Sequence, residues 1–175
     1  MMIKFRSILF FIAALFIFPQ NPQAAEYKLN HNPHSYVLNK LHSHDIVFLG
    51  TRHKQPPILE FISKLITVLH NSGITHIALE IASDQQSKID NFLKTGTGLS
   101  DIKIYPQIDC PKYRNLFNVL RDLDPDKRPA PVVLDLPKSK YKENTSRDAW
   151  MARSISEVFN TSTNAKMLVA VGNNP

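Results

Sequence analysis

The fold is constrained most by four short apolar runs, at residues 46–49, 75–80, 131–135 and 166–171. These runs are apolar throughout instead of alternating with polar residues, which is typical of strands buried on both faces of a parallel sheet. Amphipathic segments lie between the runs and can form the right-handed crossover helices that parallel strands need. The sequence therefore predicts one α/β domain over residues 45–175, with a mainly parallel sheet of about four strands covered by helices.

The first amphipathic segment is the strongest helix prediction. Its apolar residues recur at helical spacing over residues 57–72, with Pro57 in the first turn and Gly73 after the end. Further helices are expected to begin at Ser83 or Asp84, at Pro111, and at Thr145 or Ser146. Residues 97–110 are expected to be a long loop with a short extended piece at 102–105.

Residues 1–25 have the pattern of an export signal. Lys4 and Arg6 provide a positively charged start, residues 8–18 are an apolar run, and a polar stretch then ends in small residues at Ala25. The apolar run is shorter than the roughly 20 residues that cross a membrane comfortably, so no stable membrane span is expected after cleavage. An uncleaved anchor stays open as the alternative, because Gln23 does not suit the cleavage site. The sequence predicts an exported protein, periplasmic or secreted.

Residues 26–44 are expected to form a polar lead-in segment. Pro33 is expected to interrupt any helical face in it. Four histidines occur here and raise the alternative of a metal site: His31, His34, His42 and His44. No cysteine or carboxylate completes a familiar ligand spacing with them, so a surface role is favoured.

Composition is that of an ordinary globular protein, with 43% hydrophobic and 21% charged residues. The net charge of +6 falls to +4 if the signal is removed with Lys4 and Arg6. A surplus this small, without a basic run, does not favour a nucleic-acid partner. Cys110 is the single cysteine, which excludes an intramolecular disulfide. The expected partner is a small-molecule ligand or cofactor, and a homodimer is left open.

Polar residues follow the end of each predicted strand. The strands end at Gly50-Thr51-Arg52-His53, at Glu80, at Asp135 and at Gly172-Asn173-Asn174. Parallel strands place these ends on one edge of the sheet, where α/β folds bind ligands. Arg147 and Asp148 begin the helix after the third strand and should lie near that edge. A histidine, carboxylates and an arginine in one crevice suit general acid–base catalysis or the ligation of a divalent metal.

We assign His53, Glu80 and Arg147 as catalytic candidates, and His53 with Glu80 as metal-ligand candidates. The cofactor-binding candidates are Gly50, Thr51, Arg52, His53, Glu80, Asp135, Asp148 and Asn173. Structural alternatives stay open for several of them: His53 can bond the turn backbone, Arg147 can pair locally with Asp148, and Asp135 can be a turn residue. His76 begins a strand and is expected to be structural, at the opposite edge.

Four short motifs, taken in order, resemble one known superfamily. They are Leu49-Gly50-Thr51-Arg52-His53, Ala78-Leu79-Glu80, Arg147-Asp148-Ala149-Trp150-Met151-Ala152 and Leu168-Val169-Ala170-Val171-Gly172-Asn173-Asn174. The superfamily groups the ChaN-like haem-binding uptake proteins, the erythromycin-esterase-like hydrolases and the TraB/Tiki proteases. The resemblance implies that the histidine of an early G-x-x-H motif and a glutamate ending the next strand contribute to the site. These residues correspond to His53 and Glu80.

Two functions follow from the resemblance as expectations. One is a ChaN-like protein that binds haem or a related cofactor for iron uptake, with Tyr105, Tyr113 and Cys110 as candidate ligands. The other is a metal- or base-assisted hydrolase of an ester or peptide bond. The superfamily has a second G-x-x-H motif after the last strand, but Pro175 stands where its histidine belongs. A two-histidine site is therefore expected to be incomplete, as in a truncated or inactive member.

Overall fold

The computed structural model describes residues 32–172. The expected export signal and the cofactor candidate Asn173 lie outside the described residues. The helices are α1 (Pro33–Ser43), α2 (Pro56–Leu69), α3 (Gln86–Thr95), α4 (Pro111–Asp122) and α5 (Arg147–Thr161). The strands are β1 (Ile46–Thr51), β2 (His76–Ala82), β3 (Ala130–Asp135) and β4 (Met167–Gly172). Short 3₁₀ turns occur at Ser83–Gln85, Leu99–Asp101 and Lys138–Lys140.

All four strands are parallel and form one sheet in the order β1-β4-β2-β3. The predicted α/β fold with a parallel sheet of four strands is thus confirmed. β4 comes last along the chain but lies between β1 and β2, so that Val169 is paired with Phe48 on one side and with Ala78 on the other. This order brings the carboxyl ends of β1, β4 and β2 next to one another.

The two faces of the sheet are covered unequally. Helices α1 to α4 pack on one face and form a large core, whose fully buried members include Leu65, Ile89 and Phe117. Among residues 32–172, only α5 packs on the other face, over a small cluster around Leu134 and Val169. On that second face the outer strand β1 is poorly covered, and Phe48 is 60% exposed.

Helix α1 corrects the expectation that Pro33 interrupts a helix in the lead-in segment. Pro33 occupies the first helical position, where its missing N–H costs nothing because that group has no partner inside a helix. The Asn32 side chain caps the helix and accepts hydrogen bonds from the backbone N–H groups of His34 (3.0 Å) and Ser35 (3.3 Å). Proline therefore starts this helix instead of breaking it.

The short extended piece expected at residues 102–105 does not form. In the described part of the chain, these residues join no strand. Arg114 of α4 binds this loop instead. Its guanidinium donates to the carbonyl of Leu99 (2.8 Å) and makes a two-point ion pair with Asp109, with both distances 2.8 Å. The loop is held by side-chain bonds, so it needs no pairing with the sheet.

The described residues, 32–172, contain no helix that is both long and apolar enough to cross a membrane.

Ser146 caps α5, as predicted, by accepting from the N–H of Ala149 at 3.1 Å. The helix expected to begin at Ser83 or Asp84 starts with a 3₁₀ turn, and α3 proper begins at Gln86.

Candidate active site

The candidate site lies at the carboxyl edge of the sheet, where β1, β4 and β2 end. His53 stands in the turn between β1 and α2, two residues after the last strand residue, Thr51. Glu80 lies within β2, where the pairing with β3 is offset by one extra residue between Leu79 and Ala82. Such bulges bend a strand and redirect a side chain. The structure therefore brings His53 and Glu80 from different elements to one place.

Arg147 joins this pair through two carboxylates. From the start of α5 its Nε donates to Oδ1 of Asp135 at 2.6 Å, and its Nη2 donates to Oδ2 at 3.0 Å. The same Nη2 donates to Oε1 of Glu80. These bonds, those to Asp135 above all, raise the pKa of Arg147. Four of the predicted site residues thus form one connected group, and Arg147 pairs with Asp135 and Glu80 instead of its neighbour Asp148.

His53 has an unusual environment within this group. Its Nε2 is buried from solvent and has no hydrogen-bond partner among residues 32–172. The nearest acceptor is Oε2 of Glu80, 3.9 Å away. That distance is too long for a direct hydrogen bond. A buried ring nitrogen without a partner calls for an explanation, such as an unseen water or a catalytic role, and His70 Nδ1 is the other case among the described residues.

Gly172 holds the two side chains close together. Its backbone N–H donates to Oε2 of Glu80. A Cβ added at this position would lie 2.5 Å from Nε2 of His53 and 2.8 Å from Oε2 of Glu80, closer than real Cβ contacts come. A glycine is therefore required here for the approach of His53 to Glu80. The sequence predicted Gly172 at this edge, as the glycine of the incomplete second motif, but gave it no role.

A cavity of about 20 Å³ adjoins His53 and Glu80. This is room for about one water molecule. Its inner wall is apolar and includes Leu79, Leu116 and Tyr113, and burial raises the pKa of Tyr113. Its exposed lining residues are Arg52 and Lys54, on either side of His53 in sequence. Sequence reasoning missed Tyr113 as a cavity wall and Lys54 as a rim residue.

The remaining candidates lie at varying distances from this group. Thr51 and Arg52 line the cavity. Gly50 lies in β1, where it pairs with Val171. Asp148 is exposed in the first turn of α5 and makes no hydrogen bond or ion pair with another described side chain. His76 lies at the other edge of the sheet, beside Thr75 Oγ1 at 2.7 Å, and burial lowers its pKa.

A divalent metal does not fit the donor set at this site. His53 and Glu80 supply two ligands, and Oε1 of Glu80 is already bound to the Arg147 guanidinium. No group of three or more potential ligands is close enough together anywhere in the described range 32–172. In the lead-in segment, Nε2 of His34 instead lies 3.3 Å from the carbonyl of Phe61.

Haem does not fit the cavity at His53 either. The cavity at His53 is far smaller than the several hundred Å³ of a typical cofactor pocket. A cleft of about 290 Å³ borders Tyr105, but the Tyr105 hydroxyl donates to the carbonyl of Leu136 at 2.9 Å. Burial raises the pKa of Tyr105, which disfavours the phenolate that would ligate iron. Cys110 precedes the first residue of α4, makes no capping bond with its side chain, and is half-buried.

Comparisons with known proteins bear on the fold alone. No protein-family model matches the sequence, and no curated protein matches it significantly. Among solved structures, one matching chain is described as "Bacterial protein toxins" and aligns with 81% of this chain, at 22% sequence identity and a TM-score of 0.57. This chain spans 30% of the length of that one. At such low identity the similarity indicates a shared architecture.

Proposed function

We propose that this chain is a hydrolase domain in which His53 activates a water molecule for attack on an ester or peptide bond. The observation that carries the proposal is the buried, unpartnered Nε2 of His53, which adjoins a cavity of one-water size beside Glu80. A general base must lie within hydrogen-bond reach of the proton it removes. In this proposal that proton comes from a water in the cavity, which His53 and Glu80 both line.

The reaction can be written with named atoms. His53 carries its ring proton on Nδ1, and Nε2 accepts a proton from the water as the water oxygen attacks the carbonyl carbon of the substrate. The bond between that carbon and the leaving oxygen or nitrogen then breaks. The leaving group takes the proton from Nε2, and the products are a carboxylic acid and an alcohol or amine. One water is consumed and His53 returns to its starting state.

Glu80 and Arg147 support this step in different ways. The Glu80 carboxylate lies 3.9 Å from Nε2, so it stabilises the positive charge that forms when the imidazole is protonated. Arg147 holds one oxygen of Glu80 while the Gly172 N–H holds the other, which fixes the carboxylate against rotation. Arg147 thereby acts as a positioning residue, with Asp135 fixing its own orientation. The resemblance to erythromycin-esterase-like hydrolases and Tiki proteases supports the same assignment of His53 and Glu80.

The proposal is tested by comparing two histidine variants. His53→Gln should abolish hydrolysis of activated aryl esters by the purified chain, measured as release of the phenol. His70→Gln is the matched control, because His70 also has a buried ring nitrogen without a partner among the described residues but lies at the end of α2, away from the site. Equal activity in both variants would reject His53 as the base.

Haem binding is the other proposal that the resemblance implies, and an exported role in iron uptake depends on it. No contact among residues 32–172 favours it over hydrolysis. Titrating the purified chain with haem decides the matter. A shift in the Soret absorption that saturates at one haem per chain would support haem binding, and an unchanged haem spectrum would reject it.

A further inference from the structure

We propose that the substrate carries a negative charge close to the scissile bond, and that Arg52 and Lys54 recognise it. The inference rests on the proposed hydrolase function and names the chemical class of its substrate. The recognised group is a carboxylate or phosphate on the part of the substrate that stays outside the cavity.

The size of the cavity decides which residues meet the substrate. At about 20 Å³ it holds the attacking water and no more, so the carbonyl carbon must approach from the rim. The residues that wall the cavity inside are buried, whereas Arg52 and Lys54 are exposed. A substrate positioned for attack beside His53 therefore lies against these two cations.

The rim cations are not neutralised by nearby acids. The carboxylates of Glu80 and Asp135 are bound by Arg147, and the carboxylate of Asp109 is bound by Arg114. Neither Arg52 nor Lys54 forms an ion pair or a side-chain hydrogen bond within the range 32–172. The hydrogen bond from Arg114 lowers the pKa of Asp109, with Lys54 contributing in the same direction from a greater distance. The mouth of the site is thus positively charged.

The backbone at Lys54 supports a specific role for this turn. Lys54 has φ of +52°, and it is the only residue other than glycine with a positive φ in the described range. The left-handed conformation is costly for a residue with a Cβ, and such strain is concentrated at functional sites.

The test uses three aryl acetates that differ in the charge of one substituent. Phenyl acetate is the neutral member, 4-acetoxybenzoate carries a carboxylate, and 4-(trimethylammonio)phenyl acetate carries a cation. With each rate divided by the rate for the same ester with free imidazole, the unmodified chain should favour the anionic ester over the cationic one by about tenfold in kcat/KM, mainly through KM, and added salt should reduce the ratio. A double variant, Arg52→Gln with Lys54→Gln, should bring this corrected ratio close to one.

A second double variant controls for net charge. Lys127→Gln with Arg128→Gln removes the same two charges from the loop before β3, at the opposite edge of the sheet, and should keep the preference. Equal corrected rates for the anionic and cationic esters in the unmodified chain would overturn the inference and leave the hydrolase proposal standing. Loss of the preference in the control would overturn the inference as well. Failure to hydrolyse any of the three esters would reject the hydrolase proposal and this inference with it.

Discussion

Arg147 and Asp135 form a two-point ion pair across the carboxyl edge of the sheet, with distances of 2.6 Å and 3.0 Å between their nitrogen and oxygen atoms. The same guanidinium also binds Glu80, so one positive charge is shared by two carboxylates that are almost completely buried. Two-point pairing fixes direction as well as distance. The orientation of Glu80 toward His53 therefore depends on a residue of another element, α5.

Removing Arg147 should destabilise the fold. Arg147→Ala leaves Glu80 and Asp135 buried without their counter-charge, and we expect a loss of about 2–3 kcal/mol in the free energy of unfolding. The figure is at the low end for a buried pair because the Arg147 side chain is 44% exposed. Urea denaturation measures this loss in the free energy of unfolding. Arg153→Ala is the control on the same helix, since Arg153 is exposed and contacts Trp150 only by a cation–π interaction at 6.0 Å. Equal losses in the two variants would contradict this role.

Two glycine variants should separate activity from stability. Gly172→Ala places a methyl group against His53, which can move into solvent, and against Glu80, which is buried and held by Arg147 and the Gly172 N–H. We expect kcat/KM for ester hydrolysis to fall about 100-fold and Tm to fall as well, because displacements near 1 Å have effects of this size on activity. Gly73→Ala should lower stability alone. Gly73 has φ of +72° and open space around it, so alanine there costs about 1 kcal/mol of stability and leaves activity intact.

The same loss of Tm in both glycine variants, with activity kept at position 172, would show that the close approach of Gly172 to His53 does not matter for function.

The strands could be predicted because each is a run of apolar residues too short for a helix and ended by polar residues or glycine. Their order could not. Parallel strands buried on both faces carry no polar alternation to distinguish an outer strand such as β1 from the central β4. Helix α1 was missed for a different reason. Proline breaks a helix interior but favours its first turn, and the position of Pro33 depends on the cap made by Asn32.

Which candidate residues lie together could be predicted, but not which bonds they form. The rule that parallel strands end at one edge brought together His53, Glu80, Asp135 and Arg147. Which carboxylate Arg147 binds depends on the direction in which α5 leaves its loop, and no spacing in the sequence encodes that. The role of Gly172 could not be predicted either, because it depends on having no side chain next to His53 and Glu80. Only the positions of His53 and Glu80 in space reveal it.

Stability should depend on pH through His76. Burial lowers its pKa below the ordinary value of 6.5, so the unfolded chain binds a proton at a higher pH than the folded chain does. The stability of the folded state that depends on a neutral His76 is fully present above pH 6.5. It is lost as the pH falls from 6.5 through the lower pKa that His76 has in the folded state. His76→Gln should therefore show a smaller drop in the free energy of unfolding between pH 7 and pH 5, measured by urea denaturation. An equal drop in the free energy of unfolding in the unmodified chain and in His76→Gln would contradict this role of His76.

The most direct test of the central claim, that His53 is the general base, is rescue of a His53→Gly variant by added imidazole. The His53 side chain is 32% exposed, so a free imidazole can reach the space that the variant leaves. The account predicts that ester hydrolysis, lost in the variant, rises with imidazole concentration and saturates, whereas a double variant with Glu80→Gln responds weakly. Hydrolysis that persists in the His53→Gly variant, or an imidazole effect no larger than the rate without protein, would contradict it.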